Sequence, residues 1–261
     1  MLQEERYEKI LNLLSGKNHL TVENVKEFLG ISPSTVRRDF RTLVDRNLVK
    51  RSRGGISLLT CGKEDGNMPF ELRQITHADE KQLLAKKATS LLEPNDTLFI
   101  DGGTTTLQMT RYLPNFPLTV VSNSLPHVSA MIEHRSRNSQ LEIYTAGGYV
   151  YVPWHVNLGP QTRYCLSQYH AKYAFLSGRG IDEVGTYNHN EMVVETERTM
   201  MANADKVVFI MDHSKIGQRS MSFLCALDKI DILITSSNSI NRGLLDKLHE
   251  SKVKVITVDI N

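Results

Sequence analysis

The sequence contains little cysteine and no long apolar run, and both shortages exclude classes of protein. Three cysteines, Cys61, Cys165 and Cys225, are spread over 261 residues. Their wide separation indicates neither a disulfide framework nor a thiolate metal site. No apolar run approaches the roughly 18 residues that a membrane-spanning helix needs, and the N-terminus is a charged amphipathic segment rather than a signal peptide. We therefore expect a cytoplasmic protein without a membrane partner.

Sequence fingerprints of nucleotide and metal binding are also missing. The D-G-G-T sequence at 101–104 has neither the Gly-Lys-Ser/Thr ending of a P-loop nor the glycine spacing of a dinucleotide-binding turn. His155, His170 and His189 have no ligand partners at metal-binding spacing. We expect neither a cofactor nor a bound metal.

Positive charge is concentrated in one short segment near the N-terminus. Residues 33–53 contain seven basic and two acidic residues, a net charge of +5, whereas the whole chain has a net charge of +2. The remainder of the chain is therefore net acidic. A local excess of positive charge is typical of a nucleic-acid-binding surface.

The basic segment begins with a predicted helix that has one apolar and one polar face. Ser32 is a favourable N-cap, and Pro33 suits the first helical position. Val36, Phe40 and Leu43 follow at spacings of four and three residues, which place them on one stripe facing a core. Although a solvated surface has a similar composition, arginine pairs with phosphates or guanine edges, and short hydroxyl side chains allow close approach to a groove. The candidate DNA-binding residues on the polar face are Ser34, Thr35, Arg37, Arg38 and Arg41.

Two further helices are predicted before the basic one. The first covers residues 7–14 and ends at Gly16, and the second covers residues 22–29 between the N-cap Thr21 and Gly30. Two residues separate the second helix from the basic helix. A tight glycine-containing turn between two short helices, the second of them basic, is typical of a helix-turn-helix.

A β-hairpin wing is predicted after the basic helix. Residues 48–53 have the alternating side-chain pattern of a β-strand, and Gly54-Gly55 provides a turn before the apolar Ile56 and Leu58. Two more candidate DNA-binding residues lie on this hairpin, Arg51 and Arg53.

Together these residues resemble one protein family. Glu5-Arg6 with Ile10, the sequence S-x-x-T-V-R-R-D-F at 32–40 and the sequence K-R-S-R-G-G at 50–55 are similar to the N-terminal domain of the DeoR family of bacterial transcription repressors. The resemblance implies a winged helix-turn-helix that binds double-stranded operator DNA, with its Ser/Thr-Arg-Arg-Asp helix in the major groove.

The rest of the chain predicts an α/β domain with a mostly parallel sheet. Apolar β-rich runs alternate with helix-like stretches such as residues 79–92, which is typical of parallel strands covered by helices. Residues 60–69 are polar and show no regular spacing of apolar residues. We therefore predict a winged helix-turn-helix domain at 1–59, a linker at 60–77 and a second domain at 78–261. The predicted strands cover residues 97–100, 118–121, 141–145, 173–176, 207–211, 230–235 and 253–258.

Polar loops follow five of these strands. Ligands of open α/β sheets bind beyond the carboxyl ends of the strands. Glycines allow close backbone approach, hydroxyls donate hydrogen bonds, and free backbone N–H groups favour an anion. Each loop alone could be an ordinary turn or helix cap, but their recurrence at one edge predicts a phosphate-binding pocket. The candidate effector-binding residues are Asp101, Gly102, Gly103, Thr104, Thr105, Thr106, Ser122, Asn123, Ser124, Gly147, Gly148, Ser177, Gly178 and Lys215.

The same loops resemble the C-terminal sensor domain of the DeoR family, which is similar in fold to ribose-5-phosphate isomerase and related sugar-phosphate enzymes. The matching sequences are residues 98–105, residues 118–125 and D-H-S-K at 212–215. Two residues depart from the family pattern, because Lys172 stands where an aspartate is usual and Ser177 replaces a usual glycine. The resemblance implies a phosphorylated sugar or related metabolite as the effector.

The leading hypothesis is a DNA-binding transcription regulator, a repressor of a carbohydrate-metabolism operon, controlled by this effector. A small winged domain makes few base contacts, so we also expect a homo-oligomer. The alternatives are a sugar-phosphate isomerase with an added DNA-binding domain and a scaffold that uses its sheet domain for oligomerisation. Isomerisation needs a positioned base. The loop at 177–180 contains no acidic residue, and Asp182 is the first acid after it. We therefore expect no catalytic residue and interpret His213 as a hydrogen-bonding residue.

Overall fold

The computed structural model describes residues 1–17, 19–46, 48–58, 70–135, 140–236 and 242–260. The chain divides into an N-terminal unit, Met1–Ala78, and a C-terminal unit, Asp79–Asn261.

Short helices and a three-stranded sheet form the first part of the N-terminal unit. In chain order they are α1 (Gln3–Lys17), β1 (His19–Thr21), α2 (Val22–Leu29), α3 (Pro33–Asp45), β2 (Val49–Ser52) and β3 (Gly55–Leu58). The strands pair antiparallel in the order β1-β3-β2. The predicted helices and hairpin are present, although α1 continues one residue beyond Gly16. Strand β1 was not predicted, because three residues are too few to show an alternating pattern.

Local sequence explains where α2 and α3 begin. The Thr21 hydroxyl accepts a hydrogen bond from the Asn24 N–H at 3.2 Å, and the Asn24 side chain accepts one from the Thr21 N–H at 3.1 Å, which forms a capping box. Helix α2 ends at Gly30, whose φ of 64° is in the left-handed region that glycine tolerates. The Ser32 hydroxyl then caps α3 by accepting a hydrogen bond from the Thr35 N–H at 3.2 Å.

Residues 70–77, which the sequence placed in the linker, contribute a helix to the N-terminal unit. Helix α4 spans Phe70–Ile75, and Leu72 is buried in the same apolar core as Leu14, Val36 and Ile56. The linker prediction is corrected for these residues, since burying Phe70 and Leu72 removes apolar surface from water. The remainder of the predicted linker, residues 60–69, lies outside the described residues.

The C-terminal unit alternates strands and helices, as the sequence predicts. In chain order its elements are α5 (Ala78–Thr89), β4 (Asp96–Ile100), α6 (Thr104–Leu107), β5 (Leu118–Ser122), α7 (Leu125–His134), β6 (Leu141–Thr145), β7 (Tyr149–Tyr151), β8 (Val156–Leu158), α8 (Pro160–Ser167), β9 (Ala171–Leu176), β10 (Gly180–Ile181), β11 (Gly185–Asn188), α9 (Glu191–Ala202), β12 (Ala204–Ile210), β13 (Ser222–Ala226), β14 (Ile232–Ser236), α10 (Arg242–Glu250) and β15 (Lys254–Val258).

Seven strands form one parallel sheet, in the order β15-β14-β12-β9-β4-β5-β6. These are the seven predicted strands, with bounds shifted by up to three residues. Among the described residues, five short antiparallel strands were not predicted: β7 pairs with β8, and β10, β11 and β13 form a second small sheet. Four of these five strands are only two to four residues long, which is too short to show a periodicity that can be recognised from sequence.

Helices cover both faces of the parallel sheet. On one face, Leu98 and Ile100 of β4 pack with Leu84 of α5 and Met131 of α7. On the other face, Phe99 belongs to an apolar cluster that includes residues of α8, α9 and α10. Alternate residues of β4 thus point to opposite, fully buried sides. None of the helices in the described parts of the chain is long and apolar enough to cross a membrane.

Candidate functional site

Helix α3 presents the predicted basic face to solvent. Val36 and Leu43 are fully buried and Phe40 nearly so, whereas Arg37, Arg38 and Arg41 are exposed. Among the small candidate residues, Ser34 is exposed and Thr35 is half-buried. Three guanidinium groups on one exposed side of a short helix can bind phosphates or guanine edges.

The wing carries the other two candidate arginines. Arg51 lies on β2, Arg53 lies at the turn that precedes β3, and both are exposed. Gly54, with a φ of 77°, makes this turn in the left-handed region. The hairpin is held to β1 through close backbone contact, because a Cβ atom on Gly55 would lie 1.8 Å from the Leu20 carbonyl oxygen.

A buried ion pair that sequence reasoning missed links α1 to α3. Asp39, the acid that follows the two arginines, is fully buried. The Arg6 Nε donates to Asp39 Oδ2 at 2.8 Å and Arg6 Nη2 donates to Asp39 Oδ1 at 2.9 Å. The partners are 33 residues apart, so no local pattern could indicate their contact.

In the C-terminal unit, the predicted loops meet at the carboxyl ends of β4, β5 and β9. A Cβ atom on Gly102 would lie 3.2 Å from Ser124 Cβ, and one on Gly103 would lie 2.8 Å from Ser177 Cβ. The two glycines therefore allow the loop after β4 to pack against two other predicted loops. Gly178 belongs to the same region, since its Cβ atom would lie 2.5 Å from the Met211 methyl group.

Internal hydrogen bonds hold the loop after β4 and the start of α6. The Thr106 hydroxyl accepts from the Gly103 N–H at 3.0 Å and lies 2.8 Å from the Asp101 carbonyl. His127 bridges this group to the next loop, with Nδ1 2.7 Å from Ser124 Oγ and Nε2 3.2 Å from Thr106 Oγ1. Burial lowers the pKa of His127 to about 3, so its imidazole is neutral at pH 7.

The loop after β5 is anchored by β8. The Ser122 hydroxyl donates to the Ile100 carbonyl at 2.7 Å. The Asn157 N–H donates to the Asn123 carbonyl at 2.7 Å, and Asn157 Nδ2 donates to the Ala146 carbonyl at 2.9 Å. Asn157 thus connects the loops that follow β5 and β6, a role that its sequence position does not indicate.

Two buried carboxyl groups lie together beneath these loops. Asp101 and Glu197 are 4% and 0% exposed. Burial raises the pKa of Asp101 to about 6, although hydrogen bonds from the Gly102 backbone, Glu197 and Asn123 oppose this increase. Burial, and then the charge of Asp101, raises the pKa of Glu197 well above its usual range. A protonated Glu197 can donate to Asp101 while its Oε1 accepts from Asn188 Nδ2 at 2.8 Å.

The loop after β12 contains Lys215 and is tied to helix α5. Asp212 accepts from the Ser214 N–H at 3.0 Å, which shapes the single helical turn His213–Lys215. The Glu80 carboxylate, which is 4% exposed, accepts from the His213 N–H at 2.7 Å and lies 2.7 Å from His213 Nδ1. It also accepts from the Ser236 hydroxyl at the end of β14.

The Gly147-Gly148 loop has a different environment from the other predicted loops. Both glycines are exposed, and together with Tyr149, Gln161 and Cys165 they line an open pocket of about 620 Å³. The Thr162 hydroxyl donates to the Gly147 carbonyl at 2.8 Å. The other candidate residues of the loops after β4 and β5 are buried, with Gly102 half-buried.

Comparison with known proteins identifies the family. A model of the DeoR-like helix-turn-helix domain matches residues 6–61, and a model of the DeoR C terminal sensor domain matches residues 76–237. The chain belongs to the DeoR family. The HTH-type transcriptional regulator UlaR of Shigella sonnei (strain Ss046) is 31% identical over 258 residues, which cover 99% of this chain and 100% of that protein. UlaR of Escherichia coli (strain K12 / DH10B) is 30% identical over the same coverage.

Among solved structures, ribose 5-phosphate isomerase A from Methanocaldococcus jannaschii is similar over 54% of this chain and 55% of that chain, with a TM-score of 0.39 and 17% identity.

Family membership confirms the predicted fold class and the DNA-binding function. This DeoR-family chain is a transcription regulator with an N-terminal helix-turn-helix and a C-terminal α/β sensor domain. Its full-length relatives are regulators, which supports this function over the predicted alternative of an isomerase with an added DNA-binding domain.

Proposed function

We propose that this regulator is a repressor of a carbohydrate-metabolism operon and that a phosphorylated sugar or related metabolite, bound in the C-terminal unit, changes its affinity for operator DNA. One observation carries the proposal of a sugar ligand. Hydroxyl, amide and carboxyl groups cluster at the carboxyl ends of adjacent strands, and within the described residues Asn123 Oδ1 is buried there without a hydrogen-bond donor. A buried acceptor without a donor costs free energy that a ligand hydroxyl would recover.

The candidate residues divide into three roles in this proposal. Lys215 and the hydroxyls of Thr104 and Thr105 bind the phosphate, because they supply a cation and hydrogen-bond donors. An ionised Asp101 repels a phosphate, so it accepts from sugar hydroxyls or holds its loop. Ser122 and Ser124 shape the site, since their hydroxyls already bond to the Ile100 carbonyl and to His127.

We further propose that the C-terminal unit senses its ligand without converting it. Aldose–ketose isomerisation needs a base beside the reacting carbon. Asp182, the first acid after the 177–180 loop, already accepts from the Val184 and Gly185 N–H groups and pairs with Arg219. Within the described residues, a second candidate base is the Asp101 and Glu197 pair, whose Glu197 carboxyl is fully buried and accepts a hydrogen bond from Asn188 Nδ2.

A titration of operator binding tests the effector proposal. A panel of pentose and hexose phosphates is first screened by thermal shift, since a ligand at 100 times its Kd stabilises by about 2.7 kcal/mol. The best compound is then titrated against operator binding by wild type, Lys215→Ala and the control Lys206→Ala, whose exposed lysine lies near the amino end of β12. We expect the response to be lost only in Lys215→Ala. Equal responses would remove Lys215 from the site, and isomerisation of the compound by wild type would overturn the sensor proposal.

We also propose that the regulator is a homo-oligomer held mainly by its C-terminal unit. Pairing of two winged domains lets a repressor read two half-sites. The large side chains of Tyr149, Val152 and Tyr164 are 58%, 67% and 70% exposed, and exposed apolar side chains that form a contiguous patch are typical of an interaction site. Sedimentation of the full chain at micromolar concentration is expected to show a species larger than a monomer, and a monomer would contradict the proposal.

A further inference from the structure

Asp39 interrupts the basic stretch of α3 in sequence but lies on the opposite side of the helix. Successive residues of an α-helix are rotated by about 100°. Arg38 and Arg41 therefore lie within roughly 40° of Ser34, whereas Asp39 lies about 140° away from it. In agreement, the arginines are exposed and Asp39 is fully buried. The exposed side of α3 thus presents cations without the adjacent acid.

Both carboxylate oxygens of Asp39 accept hydrogen bonds from Arg6. The Arg6 guanidinium donates two parallel hydrogen bonds, at 2.8 and 2.9 Å, to the two carboxylate oxygens. The Arg6 side chain is itself only 12% exposed. A bidentate pair fixes the direction of approach as well as the distance, which a single contact between point charges does not.

A second contact fixes α3 against α1 at its C-terminal end. The guanidinium carbon of Arg46, the residue that follows α3, lies 5.0 Å from the centre of the Tyr7 ring. Tyr7 is the next residue after Arg6 and is 2% exposed. Two adjacent residues of α1 thus hold α3 near its middle and at its end.

We infer that Arg6 is a positioning residue for DNA recognition, because its bidentate contact with Asp39 sets the rotation of α3 on α1 and so the direction in which Arg37, Arg38 and Arg41 point. Base recognition requires side chains placed to within about 0.5 Å and 10–20°. A small rotation of α3 therefore disrupts contacts to base edges. Attraction to phosphates depends mainly on charge and tolerates such a rotation.

The Arg6 contact with Asp39 affects two properties of DNA binding differently. Loss of the Arg6 contact lowers the preference for operator over non-specific DNA. It leaves the salt dependence of non-specific binding unchanged, since the exposed arginines remain. Simple destabilisation of the fold behaves differently, because a smaller folded fraction weakens binding to every DNA by the same factor.

The test compares full-length wild type, Arg6→Gln, Arg6→Lys and the control Ile10→Val. Ile10 is on the same helix and fully buried, so its shortening to valine destabilises the unit without altering the ion pair. Affinities are measured for a duplex selected by wild type from a random-sequence pool and for a shuffled duplex of the same composition, over a range of salt concentrations. Thermal unfolding reports whether each variant folds.

We expect Arg6→Gln to lower the ratio of the two affinities roughly tenfold, with an unchanged salt slope on the shuffled duplex. Arg6→Lys keeps the charge but not the two-bond geometry, and an intermediate ratio is expected. Ile10→Val retains the wild-type ratio. If Arg6→Gln does not fold, the ratio of affinities measured for Arg6→Lys is the test of the inference. A wild-type ratio in the folded variants, or full rescue by lysine, would overturn the inference.

Discussion

At the residue scale, the charged groups of this regulator follow two patterns. Arg37, Arg38 and Arg41 are exposed and available to a polyanion. Asp39 and Glu80 are buried, and each accepts several hydrogen bonds from groups that its local sequence does not identify. Exposed charge attracts the DNA partner at long range, whereas paired buried charge fixes local geometry.

The first residue-scale prediction concerns Arg38. Arg38→Ala is expected to weaken operator binding by about 1–3 kcal/mol if Arg38 pairs with a base edge, and to lower the salt slope by about one unit if it contacts a phosphate. Lys252→Ala removes an equal charge from an exposed position in the other unit and serves as the control. Operator affinities at several salt concentrations distinguish the cases. Unchanged affinity and slope in Arg38→Ala would exclude Arg38 from the interface.

The second residue-scale prediction concerns the pH dependence of stability. Because burial raises the pKa of folded Asp101 from 3.8 to about 6, the folded state holds this proton more tightly than the unfolded chain. The resulting stabilisation is present below about pH 4 and is lost as the pH rises through about 6. Asp101→Asn has no ionisable group at this position and is therefore the reference variant.

Urea unfolding of wild type and Asp101→Asn at pH 4.5 to 7.5 measures this effect. The free energy of unfolding of wild type minus that of the variant is expected to decrease as the pH rises from 4.5 to 7.5. Subtraction removes the contributions of groups that Asp101 does not perturb, such as His127, whose pKa is lowered in the folded state by burial and whose effect on stability has the opposite sign. A difference that does not vary with pH would contradict the raised pKa of Asp101.

At the element scale, short elements depend on close backbone contacts that larger side chains would prevent. The hairpin of β2 and β3 requires a left-handed Gly54 at its turn and a Gly55 without a Cβ atom beside β1. In the C-terminal unit, Gly102 and Gly103 allow the loops after β4, β5 and β9 to pack together. These glycines are needed for two different physical reasons, conformation at Gly54 and space at the other three positions.

The element-scale prediction compares the two glycines of the wing. Gly55→Ala places a methyl group 1.8 Å from the Leu20 carbonyl oxygen, so we expect destabilisation of about 1–3 kcal/mol and weaker operator binding. Gly54→Asn is the control, because its φ of 77° suits asparagine and nothing lies within 4 Å. Denaturant unfolding and operator binding are measured for both variants. Equal stability of the two variants would show that β1 can move away from the hairpin.

At the scale of the whole molecule, the proposed function requires that ligand binding in the C-terminal unit change DNA binding by the N-terminal unit. Helix α5 begins where the chain passes from the N-terminal to the C-terminal unit. Its Glu80 accepts hydrogen bonds from His213 in the Lys215 loop and from Ser236 at the end of β14. These hydrogen bonds join the Lys215 loop to the first turn of α5, and we propose that they couple the two.

The whole-molecule prediction concerns this connection. Glu80→Gln retains a single acceptor oxygen for the donors of His213 and Ser236, so we expect a loss of stability of about 1–3 kcal/mol. The sugar phosphate identified by thermal shift is expected to bind the variant still, but to change its operator affinity less than that of wild type, because coupling requires that ligand binding favour one conformation.

Asp79→Asn, which changes the exposed neighbour of Glu80 in the same helical turn, is the control and is expected to respond as wild type. The measurements are thermal shift for ligand binding and operator titration for the response. A full response in Glu80→Gln would show that α5 does not transmit the signal.

The sequence by itself determined the features that depend on local pattern. The apolar spacing of Val36, Phe40 and Leu43 identified the core face of α3, and seven β-rich runs identified the seven parallel strands. The tertiary structure alone decided which distant side chains meet. Arg6 and Asp39 are 33 residues apart, and Glu80 and His213 are 133 residues apart. Periodicity shows that a residue faces inward, but its partner and protonation depend on the segments that the fold places beside it.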